Sequence, residues 1–102
     1  MTGNSAVFKK YPDYKVLRHQ RNRKWYGLLM DVTGDKLGLA DQAEYAVLNV
    51  KLDPEQVTIL QKAAGFLPAY HMNKQYWLSI LIDQVSDQQI ESLLDQSYQL
   101  TE

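Results

Sequence analysis

The chain has 102 residues, 45% of them hydrophobic and 23% charged, a composition typical of one folded domain and not of a disordered chain. It has no cysteine for disulfides or thiolate zinc sites and no long apolar run for a membrane span or secretory signal, so we expect a cytoplasmic protein that does not bind membranes. The net charge is −1, but the charged residues are unevenly distributed: residues 1–36 hold eight basic and three acidic side chains, whereas residues 37–102 hold three basic and nine acidic ones. A polyanion would therefore be attracted to the first part and repelled by the second.

The first predicted element is a β-hairpin with a basic tip. Residues 1–13 have too few apolar side chains to build an element and include a proline, so we expect them to be loosely ordered ahead of a single domain over residues 14–102. Residues 15–19 and 24–32 are typical of strands, and the polar residues between them predict a turn in which Asn22 adopts the left-handed conformation. On the second strand, alternation predicts one shared face for Tyr26, Leu28, Met30 and Val32.

A loop, a third strand and a first helix follow. Residues 33–44 contain two glycines and two aspartates and are expected to form a loop, and residues 45–52 alternate as a strand does. The side chains expected to face inward from this strand are Ala46, Leu48, Val50 and Leu52. Asp53 is predicted to cap a helix through its side chain, with Pro54 at the first helical position and a left-handed stop at Gly65.

The last predicted elements are a strand over residues 76–82 and a helix that begins after Ser86, the predicted cap. The apolar stripe of this helix comprises Ile90, Leu93, Leu94 and Tyr98. The predicted order is therefore β-β-β-α-β-α. Short connections favour an α+β fold with an antiparallel sheet of about four strands and two helices packed on one face. The pattern does not determine how the fourth strand joins the sheet.

The segment over residues 67–77 is the densest in side chains that both pack and hydrogen-bond; its sequence is LPAYHMNKQYW. It resembles the PGYHMNKRHW-type motif of the MmcQ/YjbR-like family. The resemblance extends to RHQRNRKWYGLLMDV at residues 18–32, LGL at 37–39 and VLNVK at 47–51, and it covers roughly residues 14–100. Two departures are Ala69, where the family commonly has glycine, and Gln75-Tyr76, where it commonly has Arg-His.

The resemblance implies a CyaY-like α+β fold and DNA binding through two wing-like projections. One projection would be the hairpin tip, whose contact residues would be Arg18, Arg21, Asn22, Arg23 and Lys24. The other would be the aromatic and polar loop, whose contact residues would be Tyr70, His71, Asn73 and Lys74. Cationic side chains contact phosphates, and if both projections touched one duplex they would contact about four or five phosphates, so the binding would be weak and sensitive to salt.

Two other functions are considered. A protein- or peptide-interaction module, binding either a partner or a second copy of itself as a homodimer, would use apolar side chains exposed on the sheet, for which Trp25, Leu29 and Leu81 are the candidates. An enzyme is disfavoured, because His19 and His71 are the only histidines and the sequence has neither a phosphate-cradling glycine loop nor a nucleophile elbow. We therefore predict a non-catalytic binding domain that uses neither a metal nor a cofactor.

Overall fold

An antiparallel sheet of five strands organises residues 14–102, which are the residues that the computed structural model describes; the expectation for residues 1–13 lies outside them. The strands are β1 (Tyr14–Arg18), β2 (Trp25–Thr33), β3 (Glu44–Lys51), β4 (Phe66–Pro68) and β5 (Trp77–Leu81). The α-helices are α1 (Pro54–Leu60) and α2 (Asp87–Leu100), and short 3-10 helices cover Gly34–Leu37 and Ile82–Gln84. The predicted α+β class with two helices is confirmed.

The spatial order of the strands is β1-β2-β3-β5-β4, with every neighbouring pair antiparallel. The predicted last strand thus pairs with β3, and α1 and β4 lie between the two in the chain. The additional strand β4 has three residues, too few to show an alternation in the sequence. It lies at the edge of the sheet, where a proline such as Pro68 is tolerated.

Both helices pack on one face of the sheet, which we call the helix face. Its core joins Leu48 and Val50 of β3 and Leu78 and Ile80 of β5 to side chains from the helices. The helices contribute Val57, Leu93, Ile90 and Leu94. Of the four side chains predicted to face inward from β3, Leu48, Val50 and Leu52 belong to this core and Ala46 is half-buried.

The opposite face, which we call the second face, is also covered. Its cluster contains Leu28, Met30, Val32, Val47 and Leu81, and the residues packed against it include Leu37, Tyr70 and Met72 from connecting segments. The sheet is therefore buried on both sides, by helices on one and by loops on the other. This explains why β3 has consecutive buried residues from Val47 to Val50 instead of a strict alternation.

A β-bulge at the start of β2 corrects the predicted position of Tyr26. The pairing of β1 with β2 shifts between Leu17, opposite Gly27, and Arg18, opposite Trp25, so Tyr26 is the extra residue. Its ring lies 4.8 Å from that of Tyr98 on α2, on the helix face, and not with Leu28 on the second face. The prediction that Tyr26 shares a face with Leu28, Met30 and Val32 is therefore wrong for Tyr26 only.

The ends of the helices follow the predictions in part. Ser86 caps α2 as predicted, since its hydroxyl accepts a hydrogen bond from the Gln89 amide at 3.2 Å. The side chain of Asp53 makes no such bond, so α1 begins at Pro54 without the predicted side-chain cap. Gly65 has the predicted left-handed conformation, with φ of 92°, but α1 already ends at Leu60.

Candidate nucleic-acid interface

The hairpin tip, residues 19–24, is closed by its own backbone. The His19 amide donates to the Lys24 carbonyl at 2.9 Å, and the Arg23 amide donates to the His19 carbonyl at 3.0 Å. Arg23 takes the left-handed conformation, with φ of 64°, which was predicted for Asn22. Asn22 instead accepts a hydrogen bond from the Lys24 amide through Oδ1, an Asx-type turn that fixes the shape of the tip.

The tip is also attached to the C-terminal end of α2. The Asn22 side-chain amide donates to the carbonyls of Thr101 and Glu102, both at 3.0 Å. His19 is buried, and its Nε2 lies 2.7 Å from the Thr101 hydroxyl. Because that hydroxyl donates to the Ser97 carbonyl at 2.8 Å, it can accept from the Nε2–H of His19.

Ser97 makes a further link between α2 and the base of the hairpin. Its hydroxyl accepts from the Lys51 amide at 2.8 Å and donates to the Tyr26 carbonyl at 2.7 Å. A helix side chain thus bridges β2 and β3 at the bulge. The rings of His19, Tyr26 and Tyr98 pack together above it, with centroids 4.2 to 5.0 Å apart. The tip is therefore a supported projection.

The cationic side chains of the tip point to solvent. Arg21, Arg23 and Lys24 are exposed, as is Arg18 at the end of β1. A cavity of about 440 Å³ lies beside the tip. Its lining residues include Arg18, Arg21, Asn22, Tyr98 and Glu102. The tip therefore combines exposed positive charge with a supported backbone, and both are needed to contact phosphates at defined positions.

The crossing segment, residues 69–76, connects β4 to β5 and folds over the second face. The Tyr70 amide donates to the Ser79 hydroxyl at 3.0 Å, and the Tyr70 carbonyl accepts from the Asn49 side-chain amide at 3.0 Å. Asn49 and Ser79 are fully buried, and Ser79 donates to Asn49 Oδ1. A buried polar pair in the sheet therefore fixes the position of Tyr70. The next residue, His71, is exposed and has φ of 60°, an uncommon conformation for a residue with a side chain.

The remaining residues of the crossing segment return to β5 through a turn. Asn73 Oδ1 accepts from the amides of Gln75 and Tyr76, at 2.8 and 3.1 Å, and its carbonyl accepts from Trp77 at 3.0 Å. The Asn73 side-chain oxygen is thus occupied within the turn. Lys74 is exposed and borders a cavity of about 350 Å³ that Lys36, Leu37 and Tyr70 also line.

The two predicted contact surfaces start from the same end of the sheet but do not form one surface. Arg18 pairs with Trp25, and Lys51 pairs with Trp77, so the tip and the crossing segment both leave the sheet at this end, the basic end. The tip is bonded to α2 on the helix face, whereas Tyr70 packs on the second face. Tyr70 lines two cavities on the second face, of which one is also bordered by His71 and the other by Lys74.

The opposite end of the sheet is rich in acidic side chains, which are Asp35, Asp41 and Glu44 around the junction of β2 and β3. A hydrogen bond from Thr33 holds the pKa of Asp35 below its ordinary value. The Tyr45 hydroxyl donates to Asp41 Oδ2 at 2.6 Å, and this bond raises the pKa of Tyr45. Apart from Glu102 beside the tip, cationic side chains therefore predominate at one end of the strands and acidic ones at the other, so a small net charge coexists with a basic end.

The apolar surface expected for a protein-interaction module is largely buried. Leu81 is buried in the second-face cluster and Leu29 packs against the helix-face core, which leaves Trp25 exposed among the three candidates.

No group of three metal-ligating side chains occurs among residues 14–102, and no helix in that range is long and apolar enough to cross a membrane.

Sequence reasoning missed the support of the tip and the role of Asn49. His19 and Thr101 are 82 positions apart, and no local pattern links them. Asn49 lies in an apolar strand, where a buried amide needs a hydrogen-bond partner. The sequence therefore indicates that Asn49 is bonded, but it does not show that the partner is Tyr70 in the crossing segment.

Comparisons with known proteins agree with this fold. The model of the YjbR family matches residues 2–100. The chain is 43% identical over 101 residues to the uncharacterized protein YyaQ of Bacillus subtilis (strain 168), covering 98% of this chain and 86% of that protein. A crystal structure of a structural-genomics target from Pseudomonas syringae is 43% identical with a TM-score of 0.87, covering 92% of this chain and 81% of that one.

A crystal structure of a protein from Deinococcus radiodurans is 23% identical with a TM-score of 0.52, covering 97% of this chain and 75% of that one, and it supports the fold alone. The family match spans nearly the whole chain, and the sequence motifs at residues 18–32 and 67–77 lie in the hairpin and the crossing segment. The chain is a member of the YjbR family.

Proposed function

We propose that this protein is a non-catalytic nucleic-acid-binding domain, and that DNA phosphates bind at the hairpin tip. The observation that carries the proposal is the set of exposed cations on a tip held by α2. Its members are Arg18, Arg21, Arg23 and Lys24. Asn22 is assigned a positioning role, because its amide is bonded to the carbonyls that follow α2.

The rigidity of the tip supports this assignment. A mobile loop would lose conformational entropy on binding, whereas a tip already held by Asn22 and His19 loses less. The separation of charge supports it too, because the acidic loop around Asp41 lies at the far end of the sheet and the basic end would approach a polyanion first. Both features favour a fast, salt-sensitive association.

The test is the salt dependence of binding to a fluorescently labelled DNA duplex. With about four phosphate contacts, one for each of the four exposed cations, the logarithm of the association constant falls with the logarithm of salt concentration with a slope of about −4. Replacing Arg21→Gln and Arg23→Asn removes two charges, and asparagine tolerates the left-handed φ of 64° at position 23. We expect the slope to become shallower by about two.

A matched control removes two charges at positions away from the tip. Lys36→Gln and Lys62→Gln replace exposed lysines after β2 and after α1, away from the tip. The control should retain the wild-type slope. Equal slopes for the two double variants would refute binding at the tip, and the absence of binding to any nucleic acid at low salt would refute the function itself.

A further inference from the structure

Aromatic and cationic side chains alternate along the basic end of the second face. Trp25 is the cross-strand partner of Arg18, and Trp77 is the cross-strand partner of Lys51. Lys51 lies two residues after Asn49 on β3, and Trp77 lies two residues before Ser79 on β5, so both share the second face with that buried pair. We call the set Arg18, Trp25, Lys51 and Trp77 the end strip.

The bulge in β2 places Trp25 in this strip. Tyr26 packs against Tyr98 on the helix face, and a Cβ on Gly27 would point to Leu94 on the same face, so alternation returns Trp25 to the face of Leu28. Trp25 is 38% exposed although it begins a strand, and Trp77 is partly exposed. Exposed tryptophan on a sheet surface beside cations is the arrangement by which single-stranded nucleic acids are bound, since rings stack on bases and cations contact phosphates.

The end strip also connects the two separated cationic regions. It runs over four neighbouring strands, β1, β2, β3 and β5, a width of roughly 15 Å at the usual strand spacing. The tip lies beside Arg18 and Trp25 of the strip. The crossing segment, which carries the exposed Lys74, joins the sheet at Trp77. A DNA duplex is too stiff to bend around the end of a small sheet without a large energetic cost, whereas a single strand can follow such a surface.

We infer that the end strip binds a single-stranded nucleic acid, with Trp25 and Trp77 as stacking platforms for unpaired bases and Arg18 and Lys51 as phosphate contacts. This inference rests on the proposed function and makes it narrower. The ligand is an unpaired strand, and its phosphates also reach the tip cations Arg21 and Arg23. A duplex would bind through its phosphates alone.

Intrinsic fluorescence provides a direct test, because Trp25 and Trp77 are the only two tryptophans of the chain. Titration with an oligothymidylate should quench the tryptophan emission at saturation. An abasic oligomer of the same length has the same phosphates without bases, so it should bind more weakly and leave the emission nearly unchanged. A self-complementary duplex should behave like the abasic oligomer.

Variants separate stacking from charge. Trp25→Leu keeps an apolar side chain and removes the ring, and we expect a loss of about tenfold in affinity for oligothymidylate. Affinity for the duplex should change less than twofold. Tyr76→Leu is the matched control, because Tyr76 is also exposed, at 42%, at the same end of the sheet but precedes the strip. It should change neither affinity by more than about twofold.

The outcomes distinguish this inference from the function on which it rests. Oligothymidylate binding that leaves the emission unchanged and survives Trp25→Leu would overturn the end strip, while a salt slope reduced by the Arg21 and Arg23 substitutions would leave the proposed function intact. Equal affinity for the oligothymidylate and the abasic oligomer would also overturn the strip. Failure of all three ligands to bind would refute both.

Discussion

The hairpin tip and the crossing segment are both irregular connections at one end of the same sheet, but they are held in different ways. The tip is attached from outside, by hydrogen bonds from His19 and Asn22 to the end of α2. The crossing segment is attached from beneath, by the buried pair Asn49 and Ser79 in the sheet. The first attachment depends on a distant part of the chain and the second on neighbouring strands, so the two can be disrupted separately.

The largest expected effect is that of breaking the support of the crossing segment. Asn49→Ala removes the donor to the Tyr70 carbonyl and the acceptor of the Ser79 hydroxyl, both in a fully buried site. We expect the free energy of unfolding to fall by about 3 kcal/mol, from unpaired polar groups and the cavity left behind. Urea denaturation measures this loss.

A double-mutant cycle sharpens this prediction. Ser79→Ala removes the other member of the pair, and the two substitutions together should cost less than the sum of the single losses, because they share one network. A loss below about 1 kcal/mol for Asn49→Ala, or strict additivity, would show that the pair does not support Tyr70 as described.

An intermediate effect is expected from releasing the tip. Thr101→Val keeps the shape of the side chain and removes the hydroxyl that bonds His19, and the unfolding free energy should fall by about 1 to 2 kcal/mol. The loosened tip should also bind nucleic acid more weakly, which fluorescence anisotropy measures.

The matched control for this substitution is Thr58→Val in α1. Its hydroxyl donates to the Pro54 carbonyl at an exposed position, so its removal should affect stability less and leave binding unchanged. If Thr101→Val leaves both stability and affinity at wild-type values, the attachment to α2 does not hold the tip.

The smallest effect concerns Tyr45, which packs against the second-face cluster, far from the tip. Its bond to Asp41 raises its pKa above the ordinary value of 10.0, so the stabilisation is present below that pH and is lost as pH rises through the folded pKa. Asp41→Asn should lower the pKa of Tyr45, as followed by the NMR signals of its ring. Nucleic-acid binding at neutral pH should not change, and an unmoved Tyr45 pKa would refute this bond.

The fold could be predicted from the sequence where the pattern is local. The strands β2 and β3, the cap at Ser86 and the left-handed backbone at Gly65 are specified by neighbouring residues, and each occurs in the structure. β4 was missed because three residues have no period, and Tyr26 was assigned to the wrong face because a bulge leaves no mark in an alternating run.

The candidate site could be predicted only in part, for the same physical reason. The basic tip follows from a hairpin whose residues are adjacent in the chain. The separation of Tyr70 from the tip, and the meeting of Arg18 with Trp25 and of Lys51 with Trp77, depend on strand register and on which face a loop covers. Single-sequence patterns carry little information about either.

The most direct test of nucleic-acid binding at the basic end is an NMR titration that follows the backbone amides as oligothymidylate is added. We expect the shifts to change most at residues 18–25, at Lys51 and around Trp77, and to stay unchanged in the acidic loop around Asp41. Changes confined to that loop or to the outer surface of α2, or no changes at saturating oligonucleotide, would contradict the account.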